Sequence, residues 1–172
     1  EIIKRFVDMS EVKWNYEGPF DYDGLGKRIE LVGLPEGIGV EYKDNSSTDA
    51  GIYNAQAHLV YDEDNFVAED PMDCRWMINK KRVDVSGVKW AYDEAFTYDG
   101  TEHRIELENI PDGLIAEYAD NAKVNAGKYV ASATLIANDD RNYEVPKISG
   151  CTGSINKAEI PMPEMEWTDS SE

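Results

Sequence analysis

The segment Thr48-Asp49-Ala50-Gly51-Ile52-Tyr53-Asn54-Ala55-Gln56-Ala57 returns 76 residues later as Val124-Asn125-Ala126-Gly127-Lys128-Tyr129-Val130-Ala131-Ser132-Ala133. In both copies a small-residue corner leads into strict alternation. Tyr53, Ala55, Ala57 and Leu59 point one way, and Asn54, Gln56 and His58 point the other. Period two over such a run is the pattern of a strand with one face in a core. The chain therefore builds with strands, and it builds the same thing twice.

The copies extend well beyond this segment. Phe20-Asp21-Tyr22-Asp23-Gly24 returns as Phe96-Thr97-Tyr98-Asp99-Gly100, each followed by Arg-Ile-Glu-Leu. Val12 to Leu59 aligns with Val88 to Leu135 without a gap, and half of the aligned positions are identical. One inserted residue then shifts the step to 77, so that Asn65 corresponds to Asn142, Cys74 to Cys151 and Lys80 to Lys157. Such self-similarity marks a tandem repeat. The expected division is a last strand of a preceding module at 1–4, module 1 at 5–81, module 2 at 82–158 and the start of a following module at 159–172. Trp167 in that last stretch answers Trp14 and Trp90.

Turn residues separate the alternating runs: Asp23-Gly24, Pro35-Glu36-Gly37, Asp44-Asn45, Ala50-Gly51 and Asp64-Asn65. No segment sustains a helical period. Each module of about 76 residues is then all-β, with five to seven short strands in a sandwich or small barrel. Short strand-like connections at Arg5–Met9 and Arg82–Val85 predict a semi-rigid monomeric rod.

Composition narrows the partners. Among the 172 residues, 35 Asp and Glu face 17 Lys and Arg, a net charge of −18. Phosphate recognition needs clustered cations, so nucleic acid and anionic membrane are poor partners. No apolar run is long enough to insert as a spanning helix. With 41% hydrophobic residues, the chain has the means to form packed cores. Each module carries one cysteine, Cys74 or Cys151, which the alternation places on the inward face of a strand as a buried thiol and not in a disulfide.

The Asp49-Ala50-Gly51-Ile52-Tyr53 corner resembles the entry to the penultimate strand of immunoglobulin-like domains. There a tyrosine hydroxyl ties back to nearby backbone; Tyr53 and Tyr129 match that tyrosine, while Ala55 and Ala131 stand where antibody domains place a cysteine. A closer resemblance is to the MBG-type or YDG-type modules of bacterial surface proteins. It rests on Tyr22-Asp23-Gly24, Leu34-Pro35-Glu36-Gly37, Val40-Glu41-Tyr42, Ala50-Gly51-Ile52-Tyr53, Asn65-Phe66 and Ile78-Asn79-Lys80-Lys81, answered in the second copy by Tyr98-Asp99-Gly100, Ile110-Pro111-Asp112-Gly113, Glu117-Tyr118, Ala126-Gly127-Lys128-Tyr129, Asn142-Tyr143 and Ile155-Asn156-Lys157-Ala158. The resemblance implies two tandem small Ig-like β-sandwich modules, with a β-grasp as the alternative. It also implies an extracellular, bacterial surface or secreted protein whose partners are neighbouring modules of the same chain. The function expected is a stalk or spacer in an adhesin-like array; a module that directly binds a glycan or host protein is the alternative.

Catalytic chemistry is not expected. His58 corresponds to Thr134 and His103 to Lys27, so neither histidine is duplicated, and no metalloprotease, nucleophile-elbow or phosphate-loop motif occurs. The one cofactor considered is calcium, because Asp62 and Asp64, and again Asp139 and Asp140, bring hard oxygens into corresponding turns. Gly24, Gly100, Trp14, Trp90, Tyr53 and Tyr129 read as structural residues. Trp76, answered by Gly153, reads as a candidate for surface contact.

Overall fold

A computed structural model describes residues 3–162; Trp167 and the rest of the stretch after Met162 lie outside the described residues. The strands are β1 (Arg5–Phe6), β2 (Lys13–Trp14), β3 (Phe20–Asp21), β4 (Lys27–Arg28), β5 (Leu31–Val32), β6 (Gly39–Lys43), β7 (Ser46–Ser47), β8 (Gly51–Val60), β9 (Phe66–Val67) and β10 (Cys74–Asn79). The second copy follows as β11 (Lys81–Arg82), β12 (Lys89–Trp90), β13 (Phe96–Thr97), β14 (His103–Arg104), β15 (Leu107–Glu108), β16 (Leu114–Ala119), β17 (Ala122–Lys123), β18 (Gly127–Ala137), β19 (Tyr143–Glu144) and β20 (Cys151–Asn156). Among the described residues there is no helix.

In the first unit one layer has the order β3-β10-β8-β6, with β3 parallel to β10 and the rest antiparallel. The opposing layer is formed by β2 on β5 and β4 on β7, where β4 and β5 are the two halves of one run through residues 27–32. A first strand that leaves one layer and joins the other parallel to the last strand is Ig-like sandwich topology. The second unit repeats it, with β13-β20-β18-β16 facing β12 on β15 and β14 on β17. Both modules are thus small Ig-like β-sandwiches. A β-grasp would lay a helix across one sheet, which these residues do not do.

The alternation read from the sequence is the alternation of burial. Along β8, Ala55, Ala57 and Leu59 are buried and their neighbours exposed. Ile29, Ala50, Ala55, Trp76 and Ile78 form the centre of the first core, ringed by Trp14, Tyr16, Phe20, Tyr22, Tyr53 and Cys74. Leu31, Ala57 and Leu59 centre a second cluster toward Tyr42 and Tyr61.

Trp76 corrects the expectation of a surface contact: it is fully buried. Its ring lies 4.8 Å from that of Tyr53 and stands edge-on to Phe20, and its Nε1 donates to the Asp44 carbonyl at 3.0 Å. Difference between repeats was a poor guide because the second copy fills the same volume another way. A side chain at Gly153 would run into Ile105, whose Cδ1 lies 2.4 Å from an ideal Cβ there, and into the Tyr129 ring at 3.1 Å. Ile105 and Tyr129 occupy the place that Trp76 takes in the first unit.

The compact units do not coincide with the repeats. The first runs through Val83 and also includes Asp139–Val145; the second comprises Asp84–Asn138 and the residues from Pro146 on. The reason is the parallel pairing of β11 with β19, which repeats the pairing of β1 with β9. Ile3 and Lys4, expected to end a strand, have no strand pairing.

Trp76→Ala should destabilise the first unit by about 3–5 kcal/mol, the usual cost of removing a fully buried large aromatic. Urea denaturation of the variant checks this; a loss below about 1 kcal/mol would mean the ring is not a core element.

Candidate functional site

Three pairs of tyrosine and tryptophan side chains retained between copies point into the sandwich. Tyr16 Oη accepts the Met77 N–H at 3.1 Å, and Tyr92 Oη accepts that of Ser154 at 3.0 Å. Tyr42 Oη accepts the Leu31 N–H and Tyr118 Oη that of Leu107. Trp14 Nε1 donates to the Met72 carbonyl and Trp90 Nε1 to that of Ser149. Each of these six aromatics packs against the sandwich and ends on a backbone group, which is why a polar-tipped ring is kept at these positions.

The Tyr-Asp-Gly turn is local chemistry. Asp23 Oδ1 accepts the Leu25 N–H and Asp99 Oδ1 that of Thr101, while Gly24 and Gly100 hold φ near +80° and +81°. Only glycine takes that backbone region without strain. Hydrogen bonds to the turn hold the carboxyls of Asp23 and Asp99 below their ordinary range: from Lys27 first for Asp23, from Thr101 first for Asp99.

The tyrosine corner differs between copies. Tyr53 Oη donates to the Asp49 carbonyl at 2.7 Å and accepts from Ser47 Oγ at 2.7 Å. At the corresponding place in the second unit, Lys123 replaces Ser47, and the buried Tyr129 Oη has no partner. His103 is also enclosed: its ring stacks on Phe96 at 4.8 Å, and its Nε2 lies 3.1 Å from Asp99 Oδ1 at an angle that makes no hydrogen bond.

The aspartates considered for calcium serve the turns. Asp62 accepts from Asn65 Nδ2 and from the Asp64 N–H, and the Asn65 bond is the main reason its carboxyl sits low. Asp139 accepts from Asn142 Nδ2 at 3.0 Å and from the Asn142 N–H, and the carbonyl of Asp140 accepts Lys80 Nζ. Among the described residues no three His, Cys, Asp or Glu side chains converge in a way that would hold an ion. Arg141 pairs with Asp49 Oδ2 at 2.9 Å, an exposed bridge of modest weight.

On the outer face of β8, His58 Nδ1 lies 2.9 Å from Asp70 Oδ2, and Asn54 and Gln56 donate to Asp73. The hydrogen bond to Asp70 raises the His58 pKa. Asp70 is lowered, first by the Leu59 N–H and then by His58. Both cysteines are free, and they are half-buried where the alternation predicted a buried thiol, because each opens its strand, β10 or β20, at the edge of the core; burial raises both thiols.

Sequence reasoning missed two residue pairs. Asn45 and Asn121 each bracket a buried isoleucine, and Asn142 caps the Ala50 N–H at 2.7 Å. Their retention in both copies, as Asn45/Asn121 and Asn65/Asn142, was the available signal.

Compared with known protein families and with characterised proteins, the chain matches none. Among solved structures, the fibronectin(III)-like modules of CbhA from Clostridium thermocellum align over 91% of this chain and 100% of theirs, at 12% identity and a TM-score of 0.28. That score is too low to define a fold, and the assignment here rests on strand pairing.

Two outcomes follow from this geometry. Tyr53→Phe should cost about 1–1.5 kcal/mol while Tyr129→Phe costs close to nothing, because only Tyr53 loses hydrogen bonds; equal losses in thermal unfolding would refute the contrast. His58 should titrate above its ordinary 6.5, and Asp70→Asn should bring it back toward that value in an NMR titration. With His58 raised, the pair stabilises fully below about 6.5 and the effect fades as pH rises through the folded value. Its acid limit lies below 3.8, where the lowered Asp70 finally protonates.

Proposed function

We propose that this chain is a non-enzymatic tandem-repeat part of an extracellular bacterial protein of the MBG-type or YDG-type kind, acting as a stalk or spacer in an adhesin-like array. The observation that carries the reading is the destination of the retained residues. Trp14/Trp90, Tyr16/Tyr92, Tyr42/Tyr118, Asn45/Asn121 and Gly24/Gly100 all serve the core, the strand edges or the turns. What is kept between copies is what makes a module fold. The two histidines are not duplicated between copies and lie on different elements, His58 on β8 and His103 on β14. Function resides in sites, and a repeated site would be expected to repeat its chemistry.

The net charge of −18 supports a chain that resists non-specific association at an anionic surface. The test is binding of the purified chain to an array of mucins, glycans and matrix proteins, with and without calcium. A spacer gives no saturable signal under either condition. A saturable signal would replace the spacer with an adhesin module, and calcium dependence of that signal would return Asp62, Asp64, Asp139 and Asp140 to consideration as ligands.

A further inference from the structure

Inside the first unit, the segment Asp139–Val145 closes the corner at Asp49–Ala50. Asn142 Oδ1 accepts the Ala50 N–H at 2.7 Å, and its Nδ2 donates to Asp49 Oδ1 at 3.1 Å. Tyr143 stands edge-on to Tyr22 with ring centroids 5.5 Å apart, and Lys80 Nζ reaches the Asp140 carbonyl at 2.5 Å. The seal is tight: Asn142 is 5% exposed and Ala50 7%.

The repeat supplies each half of this joint a second time, and there both halves are open. The counterparts of Tyr22, Asp49, Ala50 and Lys80 are Tyr98, Asn125, Ala126 and Lys157. Tyr98 is 40% exposed, Asn125 and Lys157 are exposed, and Ala126 is half-buried where Ala50 is buried. The counterparts of Asn142 and Tyr143 are Asn65 and Phe66, both exposed. The turn carrying them already has the docked form. Asn65 Nδ2 holds Asp62 Oδ2 at 2.8 Å as Asn142 holds Asp139, and the Asn65 carbonyl accepts the Arg5 N–H as that of Asn142 accepts the Lys81 N–H.

The geometry points to a docking surface at Tyr98, Asn125 and Ala126 that takes the Asp62–Phe66 turn of another copy of this repeat chain. This rests on the array reading and gives it a specific joint. The Asn65 amide fits the Ala126 N–H and the Asn125 side chain, Phe66 fits the Tyr98 ring, and Lys157 reaches the backbone of the turn. Charge supports this occupant. Where the closed joint pairs Arg141 with Asp49, the open halves offer Asp64 and Asn125. An aspartate at 125 would repel Asp64, whereas the asparagine donates to it.

The repeat register dictates the experiment. Lys81 and Arg5 are equivalent positions, so joining Lys157 of one chain directly to Arg5 of a second continues the array without a change of spacing. Amide hydrogen exchange by NMR is then compared between this fusion and the single chain, with the Ala50 amide as an internal standard for a formed joint. Ala126 of the first copy should exchange at least about tenfold more slowly in the fusion, and Asn65→Ala in the second copy should abolish the gain. The same substitution in the single chain, where Asn65 is exposed, should leave Ala50 protected, which separates loss of docking from loss of folding. Unchanged exchange at Ala126, or protection that survives Asn65→Ala, would overturn the proposal. The readout is independent of glycan or protein binding, so a ligand found in the array experiment would displace the spacer reading without deciding this one.

Discussion

Each module depends on solving one problem: a strand through the middle of a layer must change partners inside the core without leaving backbone groups unpaired. Residues 27–32 pair first with β7 and then with β2, and the exchange falls at Ile29 and Glu30. Ile29 is fully buried, so its N–H and carbonyl cannot turn to water. Asn45 meets both: its main-chain carbonyl accepts the Ile29 N–H at 2.9 Å, and its Nδ2 donates to the Ile29 carbonyl at 2.8 Å. Asn15 serves Glu30 with the roles exchanged, its Oδ1 accepting the Glu30 N–H and its main-chain N–H donating to the Glu30 carbonyl, and Tyr42 Oη crosses from the other layer to take the Leu31 N–H. The second unit repeats the solution with Asn121 on Ile105 and Tyr118 on Leu107. Asp44 and Asp120, just before these asparagines, hold φ of 54° and 56°, a region that short polar side chains tolerate.

This constraint explains which identities persist and which drift. Asn45 and Asn121, each bonded to both edges of a fully buried isoleucine, cannot be exchanged for a side chain of similar size, since the alternative is an unsatisfied buried group costing roughly 1–3 kcal/mol, whereas Asn15, which bonds the less buried Glu30, gives way to Ala91. Volume is more negotiable. The space filled by Trp76 in one copy is filled by Ile105 and Tyr129 closing over Gly153 in the other. Cores accept such exchanges when total volume and polarity are kept. The αL position after β5 shows the same latitude. Gly33 has φ of +78° with the Glu11 carbonyl 2.3 Å from an ideal Cβ; its counterpart Asn109 takes φ of 57° beside Gly87.

The Asp62–Asn65 and Asp139–Asn142 turns lead into β9 and β19, each of which pairs parallel with a strand distant in sequence, β1 or β11. The Asp-x-x-Asn turn is held by its own side chains before anything meets it, through Asp62 with Asn65 and Asp139 with Asn142. A turn preorganised in this way loses little entropy on meeting another surface. Of the acidic residues that draw attention in the sequence, Asp62 and Asp139 are, in the structure, the acceptors that hold these turns.

The sequence by itself determined the repeat, the strand class and most of the inward positions. Those follow from period two and from turn residues whose backbone demands are local, as with Tyr53, Ala55, Ala57 and Leu59 or Asp23-Gly24. Only the tertiary structure decided which layer each strand joined, that Trp76 lies at the centre of a core, and that Asp139–Val145 belongs with the first unit. It also decided the work of Asn45 and Asn142, since their partners are Ile29 and Ala50, 16 and 92 residues away. Pattern reading sees what a residue asks of its neighbours along the chain; a hydrogen bond across that distance exists only once the chain has folded.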